Sequence, residues 1–155
     1  MLIPALNEAP SIGQVIRELP PGRAREVLVI DNGSTDGTQA AARAAGGVVI
    51  DEPRRGYGRA CWTGIERLAG DPPDIVAFVD GDLSDFPEEL TRILGPIEAG
   101  SADLVIGSRA LGGAERGSLT PVQRFGNRLA TSLIHLFYGH RYTDLGPFRA
   151  IRYGP

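Results

Sequence analysis

The chain has 155 residues, 42% of them hydrophobic and 23% charged, with a formal net charge of -3. That length and balance suit one globular domain with a sizeable core, and the acidic sign argues against a general nucleic-acid role. All 16 basic residues are arginine, which excludes chemistry that needs a P-loop or Schiff-base lysine, and the single cysteine, Cys61, cannot close an internal disulfide.

In chain order, Met1-Leu2-Ile3 reads as the end of a first strand that runs into Pro4-Ala5-Leu6-Asn7-Glu8. It is short for a strand, so a start clipped from a longer domain is expected. It does not look like a signal peptide, and no apolar run reaches spanning length, so a cytoplasmic location is expected. Ile12, Val15, Ile16 and Leu19 recur at helical spacing and predict a helix from about Pro10 to Glu18, stopped by Pro20-Pro21-Gly22. Glu26 to Asp31 reads as a second strand ending in an acid. Asp36-Gly37-Thr38-Gln39 then matches a capping box, with Asp36 as the cap of an alanine-rich helix that Gly46-Gly47 ends.

Val48-Val49-Ile50 predicts a third strand. The basic loop Asp51 to Gly58 leads into a helix from about Arg59 to Ala69. Ile75-Val76-Ala77-Phe78-Val79 has the apolar density of a strand buried on both faces, and it ends in Asp80-Gly81-Asp82. Asp85 is placed as the N-cap of a helix whose apolar face is Leu90, Ile93, Leu94 and Ile97. Leu104-Val105-Ile106 is a fifth strand running into Gly107-Ser108-Arg109. A Gly-rich loop from Leu111 to Pro121, a helix from Val122 to Tyr138 and a final loop and short strand from Thr143 to Arg152 complete the chain. Strands alternating with helices predict βαβ units and a mostly parallel sheet.

The chemistry centres on Asp80 and Asp82. In open α/β sheets the ligand crevice lies beyond the carboxyl ends of the strands. Two carboxylates one residue apart at that lip are costly unless something positive binds them, and a hard divalent cation carrying phosphate oxygens is the usual partner. Capping of the following turn is the plainer use. Asp31 and Glu8 also follow strands on that side and can accept from ribose hydroxyls or base N–H groups, although Asp31 can equally cap the Asn32-Gly33 turn. Gly56-Tyr57-Gly58 begins a dinucleotide fingerprint whose third glycine falls on Cys61, so a helix start near a phosphate or base is the better reading. Arg109, Arg124 and Arg149 are candidates for bidentate contact with phosphate oxygens, with simple surface charge as the alternative. Asp144 is the candidate general base for a hydroxyl acceptor, or else a turn residue. His135 reads as a packing residue and His140 as a surface turn residue. The apolar face of the Val122–Tyr138 helix packs in the core or touches a membrane surface.

Taken together, Ile3 to Glu8, Val29 to Thr38, Gly56-Tyr57-Gly58-Arg59-Ala60, Asp80-Gly81-Asp82 and Gly107-Ser108-Arg109, in that order, closely resemble family 2 inverting glycosyltransferases of the GT-A fold. Within that group the chain looks most like the dolichyl- or polyprenyl-phosphate mannosyl- and glucosyltransferases. The resemblance implies a single Rossmann-like α/β GT-A domain over residues 1–155, clipped at either end, with a mostly parallel sheet flanked by helices. It implies that Pro4, Ala5, Asn7 and Glu8 line a nucleotide pocket, that Asp31 holds the base or ribose, and that Gly58 approaches the nucleotide. Asp80, Gly81 and Asp82 would meet the diphosphate of a UDP- or GDP-linked sugar through Mg2+ or Mn2+ held by Asp80 and Asp82. Arg109 and Arg124 would face a lipid-phosphate acceptor, with Arg149 in the segment where the polyprenyl-phosphate enzymes carry an acid, a glycine and Phe-Arg. Asp82, Arg109 and Asp144 would then be the catalytic residues. The stretch Asp144-Leu145-Gly146-Pro147-Phe148-Arg149 departs from that pattern through its Leu and Pro.

Peripheral contact with the inner face of a membrane and homodimerisation through exposed sheet edges are compatible with this reading. Two other classes compete. Asp80-Gly81-Asp82-Leu83-Ser84 also resembles the aspartate-nucleophile motif of haloacid-dehalogenase-like phosphatases, but those enzymes generally use a downstream lysine and place the motif on their first strand. A non-catalytic module that holds a nucleotide sugar without an acceptor half is the third.

Overall fold

The computed structural model describes residues 1–108 and 146–154. Its strands are β1 (Leu2–Ala5), β2 (Leu28–Asp31), β3 (Val48–Asp51), β4 (Ile75–Phe78), β5 (Leu104–Ile106) and β6 (Arg149–Arg152). They form one sheet in the order β3-β2-β1-β4-β6-β5. The helices are α1 (Ile12–Glu18), α2 (Thr38–Ala44), α3 (Tyr57–Leu68) and α4 (Leu90–Glu98). Contacts divide the chain into two compact units, Met1–Val105 with Phe148–Pro155, and Ile106–Pro147. Everything described below as a site lies in the first. The expected loop from Leu111 to Pro121, the helix from Val122 to Tyr138 and the residues Arg109, Arg124, His135, His140 and Asp144 lie outside the described residues.

The strands form where β-branched and large apolar residues alternate between two buried faces. Ile3, Ala5, Val29, Ala77 and Val79 point into one core with Ile12, Val15 and Ile16 of α1 and Leu90, Ile93, Leu94 and Ile97 of the α4 segment. Leu2, Leu28, Ile30, Val76 and Phe78 point into the other, against Ala60, Cys61 and Leu68 of α3. A period of two with both faces apolar is the pattern of a parallel sheet covered on each side. Gly64 lets α3 come close: a Cβ there would stand 3.0 Å from both Ile30 Cδ1 and Leu2 Cδ2.

Strands β1, β2 and β3 are parallel in matched register, which brings Ala5, Asp31 and Asp51 level at their carboxyl ends. On its other side β1 meets β4, parallel through Leu2 and Phe78. The chain therefore leaves β1 in one direction and returns on its far side at β4. Such a reversal opens the crevice in which α/β proteins bind ligands. Strand β6 runs antiparallel to β4 and sets Arg149 opposite Phe78. The parallel sheet thus carries one reversed strand inside it, formed by the last part of the chain.

Three local expectations fail. Asp85 does not cap a helix. Phe86 precedes a 3-10 turn, Pro87–Glu89, that leads into α4, and no side chain caps either. Asp85 is buried instead and accepts from the Asp80 N–H at 3.4 Å. The Asp36–Gln39 capping box does not close: Gly37 is the N-cap of α2, and Gln39 turns away to donate to Asp31 Oδ2 at 2.6 Å. A buried carboxylate outbids an exposed cap N–H for that amide. Helix α3 begins at Tyr57 rather than Arg59, so Gly58 lies in its first turn.

Candidate active site

At the carboxyl edge of the sheet, where β1 and β4 part, a cleft is lined by Pro4, Ala5 and Glu8 from one side and by Tyr57, Asp80 and Asp82 from the other. Asn32, Ala60 and Gly81 complete its floor. A second depression lies where Met1, Asp74 and Ile75 begin β1 and β4, at the opposite end of the strands from the paired acids.

The loops around the cleft are laced together. Asn7, held at φ 59, receives the Thr35 N–H on Oδ1 at 2.9 Å, and its own N–H donates to Ser34 Oγ at 2.9 Å. The Glu8 N–H donates to Thr38 Oγ1 at 2.8 Å, and that hydroxyl donates to Asp36. Asp36 also takes the Thr38 N–H and the Ala9 N–H, and these donors hold its carboxyl below the usual carboxylate range. The left-handed conformation that asparagine tolerates is thus fixed by four bonds between the β1–α1 and β2–α2 loops.

Beyond Asn32 a second network forms. Asn32 Nδ2 donates to Glu52 O at 2.9 Å and Arg54 O at 2.8 Å, and its Oδ1 accepts the Gly56 N–H at 2.7 Å. Glu52 is 2% exposed and takes Arg54, Arg59 and Thr63, the last at 2.6 Å. Arg54 and Thr63 foremost hold its carboxyl far below the usual range. Arg54 and Arg55, read from sequence as a basic loop, are spent on Glu52 and on Gly33 O. They tie the loop down.

At the cleft mouth, Asp80 Oδ1 accepts from the Tyr57 hydroxyl at 3.2 Å, and Asp82 Oδ1 accepts from the Ser84 N–H at 2.9 Å. Leu83, at φ 63, makes the tight turn between them and the next loop. Strain of this kind in a non-glycine residue marks sites that surrounding structure over-determines. Gly81 is packed: a Cβ would stand 3.4 Å from Glu8 Cγ and from Ile12 Cδ1. Burial raises the Glu8 carboxyl above its ordinary pKa against the Ser11 hydrogen bond, and the charges of Asp82, Asp36 and Asp80 add to the rise. Burial foremost, then the Asp80 charge, pushes the Tyr57 phenol well above its ordinary value.

The candidate residues therefore fall into three groups. Pro4, Ala5, Glu8, Asp80, Gly81 and Asp82 line one cleft. Asp31 is 1% exposed and engaged by Ser34 and Gln39, while its neighbour Asn32 reaches the cleft. Asn7 supports the rim, and Gly58 lies one residue past Tyr57 on α3. Arg149 stacks on Phe78, 5.1 Å from the ring centre, and its charge partly offsets the rise that burial imposes on Tyr57 and Cys61. Tyr57, Asn32, Gln39 and Glu52 were missed. The one signal for Glu52 was the Asp51-Glu52 pair ahead of two arginines, which reads equally as solvent-facing charge.

Among the described residues no group of three His, Cys, Asp or Glu side chains could hold a metal ion unaided. A pair of carboxylates suits a hard divalent ion that keeps positions open for phosphate oxygens.

The family model described as Glycosyl transferase family 2 matches residues 1–154. The low-salt glycan biosynthesis hexosyltransferase Agl6 of Haloferax volcanii is 35% identical over 150 residues, covering 93% of this chain and 35% of that protein. The glycosyltransferase AglJ of the same organism is 34% identical over 145 residues, covering 94% and 46%. The chain thus spans less than half the length of these two curated relatives. Among solved structures, glucosyl-3-phosphoglycerate synthase from Mycobacterium tuberculosis, in complex with Mn2+, UDP-glucose and phosphoglyceric acid, matches with a TM-score of 0.73 at 29% identity, over 97% of this chain and 55% of that one.

Proposed function

The chain belongs to glycosyl transferase family 2, and from that premise we propose that it is the donor-binding part of a metal-dependent glycosyltransferase. The donor is a sugar linked to a nucleoside diphosphate, and transfer inverts the anomeric carbon. The observation that carries this reading is the pair Asp80 and Asp82 at the mouth of the β1/β4 cleft. The complexes of the mycobacterial synthase with Mn2+ and UDP-glucose support the same donor class and metal. The phosphatase alternative loses its footing, because the acids follow β4 and the matched family is a different one.

Asp80 and Asp82 would hold Mn2+ or Mg2+ together with the donor's diphosphate oxygens. When bound, that ion neutralises charge growing on the departing diphosphate. Pro4, Ala5 and Ala60 give the cleft apolar lining for the nucleotide to pack against. Glu8 and Asn32 offer polar atoms to ribose or base. We assign the acceptor as a phosphate, carried by a polyprenyl chain. Such an acceptor is already an anion and needs positioning by arginine rather than a strong base. Arg149, which sits opposite Phe78 near the end of β4, suits that task, with Arg109 and Arg124 as further candidates and Asp144 reserved for a hydroxyl acceptor. No helix among the described residues is long and apolar enough to cross a membrane.

The test is a thermal-shift screen of UDP- and GDP-sugars with Mn2+, followed by transfer assays with polyprenyl phosphate and with phosphoglycerate. Transfer to the lipid phosphate supports the full reading. Transfer to phosphoglycerate alone replaces the acceptor. Binding without transfer or hydrolysis identifies a nucleotide-sugar module. In the active case, Asp82→Asn is expected to lower metal-dependent turnover by about 100-fold or more while leaving the circular-dichroism spectrum unchanged. Turnover near that of the parent would remove Asp82 from the metal site.

A further inference from the structure

We propose that Tyr57 is a positioning residue for the metal-binding carboxylate of Asp80 and sets the affinity of the site for its ion. This rests on the metal reading above and adds a residue to it. The Tyr57 hydroxyl donates to Asp80 Oδ1 at 3.2 Å. A carboxylate oxygen has two lone pairs, so an oxygen that accepts this bond can still coordinate a cation. The carboxylate's backbone is held too, since the Asp80 N–H donates to the buried Asp85 at 3.4 Å.

Tyr57 is itself delivered with care. It is the first residue of α3, 23 positions from Asp80, and follows Gly56 at φ 137. Asn32 pins the Gly56 N–H, while Glu52 gathers Arg54, Arg59 and Thr63 around the same loop. The loop and the start of α3 are therefore fixed before any ligand arrives, and the phenol with them. A phenol keeps its proton at neutral pH, so the group is a donor. Tyr57 is 47% exposed within the cleft. A hydrogen bond at so open a position contributes little to folding, because water competes for both partners. Its consequence lies in orienting Asp80. Outer-shell donors of this kind typically change metal affinity by about 10–100-fold when removed.

The experiment compares the parent chain with Tyr57→Phe, Asp80→Asn and the double variant. It uses whichever of UDP or GDP gives the larger thermal shift with Mn2+, and free Mn2+ is followed by electron paramagnetic resonance. Tyr57→Phe keeps the ring as a wall of the cleft and removes only the donor. The expected result is Mn2+ affinity lower by about tenfold or more, with metal-free nucleotide affinity within about twofold of the parent. The double variant should then bind Mn2+ no more weakly than Asp80→Asn alone, if the hydroxyl reaches the ion through that carboxylate. Mn2+ affinity within about twofold of the parent in Tyr57→Phe, while Asp80→Asn loses the ion, overturns the role of Tyr57 and leaves the metal reading standing. Equal loss of nucleotide affinity without metal also overturns it, since the hydroxyl would then be a nucleotide contact. Unaltered Mn2+ binding in Asp80→Asn, or no Mn2+-dependent shift with either nucleotide in the parent, removes the metal reading itself and this inference with it.

Discussion

Glu8 sits at the cleft with Asp80 and Asp82. Its carboxyl is raised above the ordinary range by burial, opposed by Ser11, and raised further by Asp82, Asp36 and Asp80. A carboxyl whose folded pKa exceeds its unfolded one binds its proton more tightly in the native state. Its contribution to stability is present at acid pH and lost as pH rises through the folded value. The stability of the parent relative to Glu8→Gln should therefore fall across the window just above the usual carboxylate range, as read by urea denaturation at stepped pH. A difference independent of pH would contradict the assignment. Glu52 has the opposite sign: its depressed carboxyl stabilises at neutral pH, and that support disappears only as pH falls through its low folded value. The two acids show why residue type alone did not reveal role. Glu8 meets like charges from Asp36, Asp80 and Asp82 on other loops, whereas Glu52 is held by Arg54, two residues on, together with Arg59 and Thr63 of α3.

Helix α3 shows how an element is both placed and constrained. Ala60, Cys61, Gly64 and Leu68 form its buried stripe at helical spacing, which the pattern of residues announces. Its glycine answers to close approach: Ile30 and Leu2 lie at 3.0 Å from where a Cβ would be. Gly64→Val should destabilise the fold by about 1–3 kcal/mol through overpacking, measured by chemical denaturation. A neutral result would mean that α3 can slide outward. The element boundaries that failed lie at Asp85, at Asp36 to Gln39 and at the start of α3. At Asp85 and at Gln39, a side chain expected to serve its own helix end is engaged instead by Asp80 N–H and by Asp31, and α3 starts from the backbone of Gly56. Capping patterns read the nearest N–H, whereas a buried acid or a strand-end amide is a stronger competitor.

At the scale of the molecule, strand order makes the site. Strands β2 and β4 flank β1, so the β1–α1 loop with Glu8 meets the acids beyond β4 across one cleft. A ligand that binds only the folded state raises apparent stability by mass action, by about 2.7 kcal/mol at a concentration one-hundredfold above Kd. Nucleotide with Mn2+ should therefore raise the melting temperature more than either alone. The part that depends on Mn2+ should vanish in Asp82→Asn. Equal shifts with and without the metal would show that the nucleotide is held without an ion.

Alternation of apolar residues, turn glycines and acids at strand ends was enough to define an α/β sheet and to place Asp80 and Asp82 beyond the end of one of its buried strands. These are period and punctuation, properties that a chain carries along its length. The antiparallel insertion of β6 beside β4, the approach of Arg149 to Phe78, and the bonds from Tyr57 to Asp80, Gln39 to Asp31 and Asn32 to Gly56 were decided only in three dimensions. Each joins groups from separate loops or strands, and a polar side chain commits to whichever partner folding brings within about 3 Å of it.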